Sequence, residues 1–213
     1  LENLKLDVWA QHINETSDFV EFQVKTFKGN EKMRLDLLGK YNVENFLGAV
    51  TCALHLGVPL ISIKEIASNV VPSKTSLRKR LGLRGTTIID DSYSQNPDGV
   101  FAAIEYIKKY KGGNKIILMP CLIELGKAAP SFHKSIGRII GKTFNLAIIT
   151  TPFCFEEIKI GAMETGLADR KILFLNDPKK ILEKVKSYSS PGDVILIEGR
   201  ISQNIIEGLI VEA

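Results

Sequence analysis

Apolar and polar positions follow two different rhythms along this chain, and the change of rhythm marks its organisation. Three early stretches, about Lys5 to His12, Phe19 to Phe27 and Glu31 to Leu37, alternate apolar and polar residues and are separated by the turn-like segments NETSD and KGN. They predict a small antiparallel meander. From Asn42 to Leu56 the period becomes helical, with Val43, Phe46, Leu47, Val50, Ala53 and Leu54 on one face and Gly57 as the stop. Cys52 is placed on that apolar face and expected in the core. A short helix over Ile63 to Val70 follows, and Pro72-Ser73-Lys74-Thr75-Ser76 reads as a linker.

Beyond the linker one unit repeats, a short β-branched run followed by an amphipathic helical pattern. The runs are TTIID, KIILM, LAIIT, KILFL and DVILI, and their alternation with helices predicts an α/β fold with a mostly parallel sheet covered by helices. Asn96-Pro97 and Asp177-Pro178 each place a capping side chain before a proline at the first helical position. The polar segment DDSYSQNPDG, Asp90 to Gly99, therefore lies where a strand hands over to a helix. Open parallel sheets bind ligands outside the carboxyl ends of their strands, so Asp90, Asp91, Tyr93 and Asn96 are candidate ligand contacts. For Asn96 the plain alternative is a helix cap.

Composition narrows the class. The chain has 213 residues, 45% of them hydrophobic and 24% charged, enough for one large domain or a domain with part of another. No apolar stretch is long enough for a membrane span, and the start lacks the layout of a signal peptide, so a cytoplasmic protein is expected. Leu1 is read as the mark of a processed chain or an excised fragment. Three cysteines, Cys52, Cys121 and Cys154, without a CxxC pair or a histidine at metal spacing, suit reduced thiols and predict no metal site. The net charge of +4 is too small and too spread to suggest nucleic acid as partner. The densest basic run, Lys74 to Arg84, either faces phosphates or forms a solvated linker.

Motif tests exclude several chemistries. GxxxxGK[ST] is absent; Gly137-Arg138-Ile139-Ile140-Gly141-Lys142-Thr143 has one residue too few between its glycines and interrupts a helical pattern. There is no GxGxxG, GxSxG or HExxH. Glu124 follows the KIILM strand and so lies on the expected ligand side. His133, near a helix start, is either a general base or a partly exposed helix residue.

Four segments resemble the Mur ligases, the ATP-dependent amide-forming enzymes of peptidoglycan assembly, and within them the D-alanyl-D-alanine-adding branch, MurF. LLGKYNVENFLGAVTCALHLGV looks like the family's G-x-H-N-x-x-N helix, and DDSYSQNPDGVFAAIEYI like its DDSYNANPDS segment. LMPCLIELGKAAPSFHKSIG is similar to LGDMxELG with its spaced His and Gly, and GDVILIEGRISQNIIEGL to the closing GDxxLxKGSR stretch. They stand in the family's order over about residues 36 to 210.

The resemblance implies a divergent member seen through its C-terminal portion. Residues 1 to 74 would be an incomplete part of the central ATP-binding domain, a small strand-plus-helix tail, and 77 to 213 a Rossmann-like C-terminal domain with helices on both sheet faces. In the family that domain closes on ATP and binds the incoming amino acid or dipeptide, while a substrate carboxylate takes the γ-phosphate, with magnesium, to give an acyl phosphate. The UDP-sugar-peptide substrate, the N-terminal domains and the phosphate loop would lie outside this chain, which alone is expected to be inactive. By motif matching, Asn42, Asn45, Asp91, Tyr93, Asn96 and Arg78 would be nucleotide-binding, and Glu124, His133 and Arg200 would lie on the acceptor-substrate side. Asn42 would alternatively cap its helix.

The departures are specific. Tyr41 replaces the family's His, Ser94-Gln95 its Asn-Ala, Pro120-Cys121 its Gly-Asp and Arg200-Ile201 its Ser-Arg. Thr75-Ser76 fall at the linker Gly-Arg. Glu198 occupies the place of a lysine, which removes a cation from a site built for anions. Either the incoming substrate differs from that of MurF, or the protein is a catalytically impaired, Mur-like binding or regulatory protein.

Overall fold

The computed structural model describes residues 6–72, 77–93 and 96–211. The chain divides into two compact units, Leu1–Lys74 and Thr75–Ala213. Thr75-Ser76, most of the expected linker and Ser94-Gln95 lie outside the described residues.

In the first unit, β1 (Val8–Glu15), β2 (Val20–Thr26) and β3 (Gly29–Leu35) form an antiparallel sheet in the order β1-β2-β3. Its buried face, Val8, Ala10, Val20, Phe22, Val24, Met33 and Leu35, packs against Val43, Val50 and Leu54 of α1 (Tyr41–His55) and Leu60, Ile63 and Ala67 of α2 (Leu60–Ala67). This is the alternation expected of a sheet with one face on the core. Gly57, at φ +85°, turns the chain out of α1. The second helix starts three residues earlier than its pattern suggests, because Pro59, with ψ 141°, admits a helix immediately after it. Cys52 is exposed, not in the core. It stands two residues from both Val50 and Leu54, about 200° round the helix from the buried stripe.

The second unit is a six-stranded sheet in the order β4-β5-β9-β6-β7-β8, formed by β4 (Arg78–Leu81), β5 (Thr87–Asp91), β6 (Lys115–Met119), β7 (Leu146–Ile149), β8 (Ile172–Phe174) and β9 (Val194–Glu198). All neighbours are parallel except β4, which runs antiparallel to β5. All five expected strands are present. The edge strand β4 is an addition: RKRL belongs to the basic run and has no apolar alternation to announce it.

Helices cover both faces. α6 (Pro178–Tyr188) and α7 (Gln203–Glu207) supply Ile181, Val185, Ile205 and Ile206 to a core with Ile88, Ile116, Leu118, Leu146, Ile148, Ile195 and Ile197. The alternate residues Ile89, Ile117, Met119, Ala147, Ile149 and Leu196 are equally buried and face the side of α3 (Pro97–Ile107), α4 (Ala129–Thr143) and α5 (Phe155–Glu164). Both predicted caps form: Asn96 Oδ1 accepts from the Gly99 amide at 2.8 Å and Asp177 Oδ1 from the Lys180 amide at 3.0 Å.

The glycines of the phosphate-loop-like segment have a packing role. Gly137 and Gly141 lie in α4 against α5, where an added Cβ would stand 2.1 Å from the Ile158 carbonyl oxygen and 2.2 Å from that of Ala162. Gly161 of α5 meets Lys134 of α4 as closely. The two backbones approach to a distance that side chains would forbid.

Candidate functional site

The second unit's sheet has a switch point. From β5 the chain leaves into α3 on one face, whereas from the adjacent β9 it leaves into α7 on the other. The crevice between such strands, at their carboxyl ends, is where open α/β sheets take ligands. Residues at the ends of β5 and β9 and in the loops after β6 and β7 are therefore the candidate site.

The two aspartates that close β5 point to opposite faces and have different work. Asp90 is fully engaged: its carboxylate lies 3.2 Å from Arg80 and 3.6 Å from Arg78, and accepts from the Ser92 hydroxyl at 2.6 Å. It ties the edge strand β4 to β5. Asp91 is buried without a basic partner among the described residues. Burial first, and the Asp90 charge second, push its carboxyl up to about 6.

Directly opposite Asp91 in the parallel register stands Glu198, the last residue of β9. Its side chain is 1% exposed, and its Oε2 has no hydrogen-bond partner among the described residues. Burial, and then the Asp91 charge, hold its carboxyl well above the usual carboxylate range. Two carboxyls on one face of adjacent strands cannot both ionise cheaply. The sequence marked Glu198 only as a reversed charge; its burial against Asp91 depends on a strand pairing that the sequence does not display.

The other candidates separate. Tyr93 is exposed just beyond β5, and Asn96 spends its carboxamide oxygen on the α3 cap. Arg200 is exposed beyond β9, after Gly199 at φ +69°. Glu124 is exposed after β6 in a left-handed conformation, φ +64°, which a non-glycine residue adopts at a cost. His133 is not partly exposed: it is wholly buried, with Nε2 accepting from the Leu122 amide at 2.8 Å and Nδ1 2.7 Å from the Ala129 carbonyl oxygen. With Nδ1 donating and Nε2 accepting, the ring is neutral and fastens the β6–α4 loop. Arg78 is half-buried across from Asp90.

In the first unit, Asn42 and Asn45 line a cavity of about 450 Å³ whose other walls are apolar, among them Leu37, Phe46, Val50 and Ile63. Asn42 does not cap α1, whose cap is Lys40. Its Nδ2 donates to the Leu38 carbonyl at 2.8 Å. No group of three or more His, Cys, Asp or Glu side chains that could hold a metal occurs among the described residues.

Fold and edge together define a doubly wound α/β domain with its polar groups at the switch point. Residues 77–201 match the family model described as Mur ligase, glutamate ligase domain, and the chain belongs to the Mur ligase family. It is 26% identical over 208 residues to the UDP-N-acetylmuramoyl-tripeptide--D-alanyl-D-alanine ligase of Bacillus subtilis, covering 96% of this chain and 45% of that protein. It is 28% identical over 213 residues to the UDP-N-acetylmuramoyl-L-alanyl-D-glutamate--2,6-diaminopimelate ligase of Clostridium perfringens, covering 92% and 43%. The MurF ligase of Thermotoga maritima in complex with ADP shares the fold, with a TM-score of 0.70, 20% identity, and 95% and 45% coverage. The chain thus spans less than half the length of these relatives. No helix among the described residues is long and apolar enough to cross a membrane.

Proposed function

We propose that this chain is the C-terminal portion of an ATP-dependent, MurF-like ligase that forms an amide bond in peptidoglycan precursor synthesis. The observation that carries the reading is the family match over 77–201, the domain in which Asp91 and Glu198 stand side by side at the carboxyl ends of adjacent strands. In this reading a carboxylate of the UDP-sugar-peptide substrate takes the γ-phosphate of ATP, and an incoming amine opens the acyl phosphate. Magnesium bound with the nucleotide would help fixed cations spread the charge on the transferring phosphoryl group.

Each nucleotide-side residue other than Asp91 then has a chemical task. Asn42 keeps its carboxamide oxygen available because among the described residues its bond to Leu38 engages Nδ2 and not Oδ1, and Asn45 stands beside it at a cavity whose apolar walls suit a purine ring. Tyr93 offers an exposed ring at the end of β5, and Asn96 holds the start of α3 in place. Arg78 is the nearest counterpart of a phosphate-facing arginine, with Asp90 sharing its charge. Glu124 and Arg200 form the acceptor side, and His133 acts on it only by fixing the loop that carries Glu124.

The test is phosphate release. This chain by itself, with no phosphate loop in its sequence, releases none from ATP above a buffer control. The complete protein releases phosphate only when the carboxylate substrate and the amine are both present. Turnover by the chain alone, or ATP hydrolysis by the complete protein indifferent to both substrates, contradicts the proposal.

A further inference from the structure

Three acids of the second unit are buried at a carboxyl strand end, and their surroundings differ. Asp90 has two arginines and a serine hydroxyl. Asp91 and Glu198 have no basic partner among the described residues, and Glu198 leaves Oε2 buried and unbonded. A buried carboxyl oxygen without a hydrogen bond costs stability, and in a native structure it calls for an explanation, of which a functional role or a partner still to come is one. The parallel register sets it beside Asp91, which lies at the rim of the switch-point crevice. The missing partner is therefore a donor that approaches along the carboxyl edge.

A divalent metal is a poor match. Such ions take about six to eight oxygen ligands or keep much of their water, whereas no third acid, histidine or cysteine joins the pair among the described residues. A primary ammonium suits it: a compact charge with three donors that two carboxyls can share. On the same edge of the sheet Tyr93, Ile123 and Phe153 are exposed on the loops after β5, β6 and β7, interspersed with the exposed charges of Glu124 and Arg200. A small molecule with a cationic end and an uncharged body matches that arrangement.

We propose that Asp91 and Glu198 form the seat of a primary amine at the carboxyl edge of the sheet, holding the acceptor's amino group as an ammonium that becomes nucleophilic only when it gives a proton to one of the two carboxylates. This rests on the ligase reading for the word acceptor, but the ammonium site itself does not. It gives the lysine-to-glutamate reversal at Glu198 a use: the position that carries a cation in the resembled motif here receives one.

The experiment titrates the 15N-labelled chain at about pH 7, where an α-amine is mostly protonated, with glycinamide and with N-acetylglycinamide, its neutral counterpart. Glycinamide is expected to give saturable shifts at the Ser92 and Gly199 amides, with an affinity about tenfold tighter than the neutral probe. Glu198→Gln and Asp91→Asn, which keep shape and remove charge, are each expected to abolish that preference while leaving the amides of β7 and β8 in place. An equal response to both probes overturns the proposal, as does a preference retained in both variants. Magnesium chloride that saturates the same amides and displaces glycinamide also overturns it. Amide formation is read separately on the complete protein, so failure of this site and failure of the ligase reading give different results.

Discussion

Glu198 of β9 and Asp91 of β5 face one another across a parallel strand pair with no basic side chain paired to either among the described residues, while Asp90, one residue away, has two arginines. The neighbouring aspartates of one short motif thus divide the work: Asp90 anchors the edge strand on one face, and Asp91 lies buried beside Glu198 on the other.

That pair fixes the sign of a pH effect on stability. Both carboxyls are raised in the folded state, Asp91 to about 6 and Glu198 further above its usual value, so the folded chain binds more protons than the unfolded one between the two sets of pKa values. Their contribution is intact below the unfolded carboxylate range and is lost as pH rises through the folded values. Glu198→Gln is expected to be more stable than the parent chain at pH ~8 and to flatten the decline from pH ~4.5 upward. Urea midpoints across that range measure it; a variant less stable at every pH contradicts the account.

Gly137→Ala tests the α4–α5 approach. With the Ile158 carbonyl oxygen 2.1 Å from the added Cβ, the helices must separate, at a cost of about 1–3 kcal/mol or more. Thermal unfolding measures the loss. An unchanged midpoint would show that the close crossing is not required.

His133→Phe removes the acceptor of the buried Leu122 amide. Leaving that N–H unsatisfied is expected to cost about 1–3 kcal/mol, with faster amide exchange confined to the 120–128 loop. A general-base role would instead leave stability unchanged and remove turnover in the complete protein.

Asn45→Ala in the complete protein is expected to weaken ATP binding about five- to tenfold, the worth of one hydrogen bond of ~1–1.5 kcal/mol. Calorimetry reads it directly, and unchanged nucleotide affinity removes Asn45 from the adenine side.

The strands of the second unit were legible because each is a compact β-branched run such as KIILM or DVILI, and the starts of α3 and α6 because Asn96-Pro97 and Asp177-Pro178 combine a cap with a fixed φ. The edge strand β4 was hidden, since Arg78, Lys79 and Arg80 carry no apolar alternation and pair through their charges and backbone. Cys52 was misplaced by one helical face. The site was legible as a location, the end of β5, but not as chemistry. What makes Glu198 unusual is the insertion of β9 beside β5, and no local pattern in the chain announces that order.

The most direct measurement of the central claim is ATP-dependent amide formation by the complete protein across a panel of amino acids and dipeptides. One class of amine is expected to yield an amide, with ADP and phosphate released in step with it and with loss of turnover in Asp91→Asn. A protein that binds ATP and the UDP-sugar-peptide yet forms no amide with any amine would contradict it, and would mark the chain as part of a binding protein on a ligase fold.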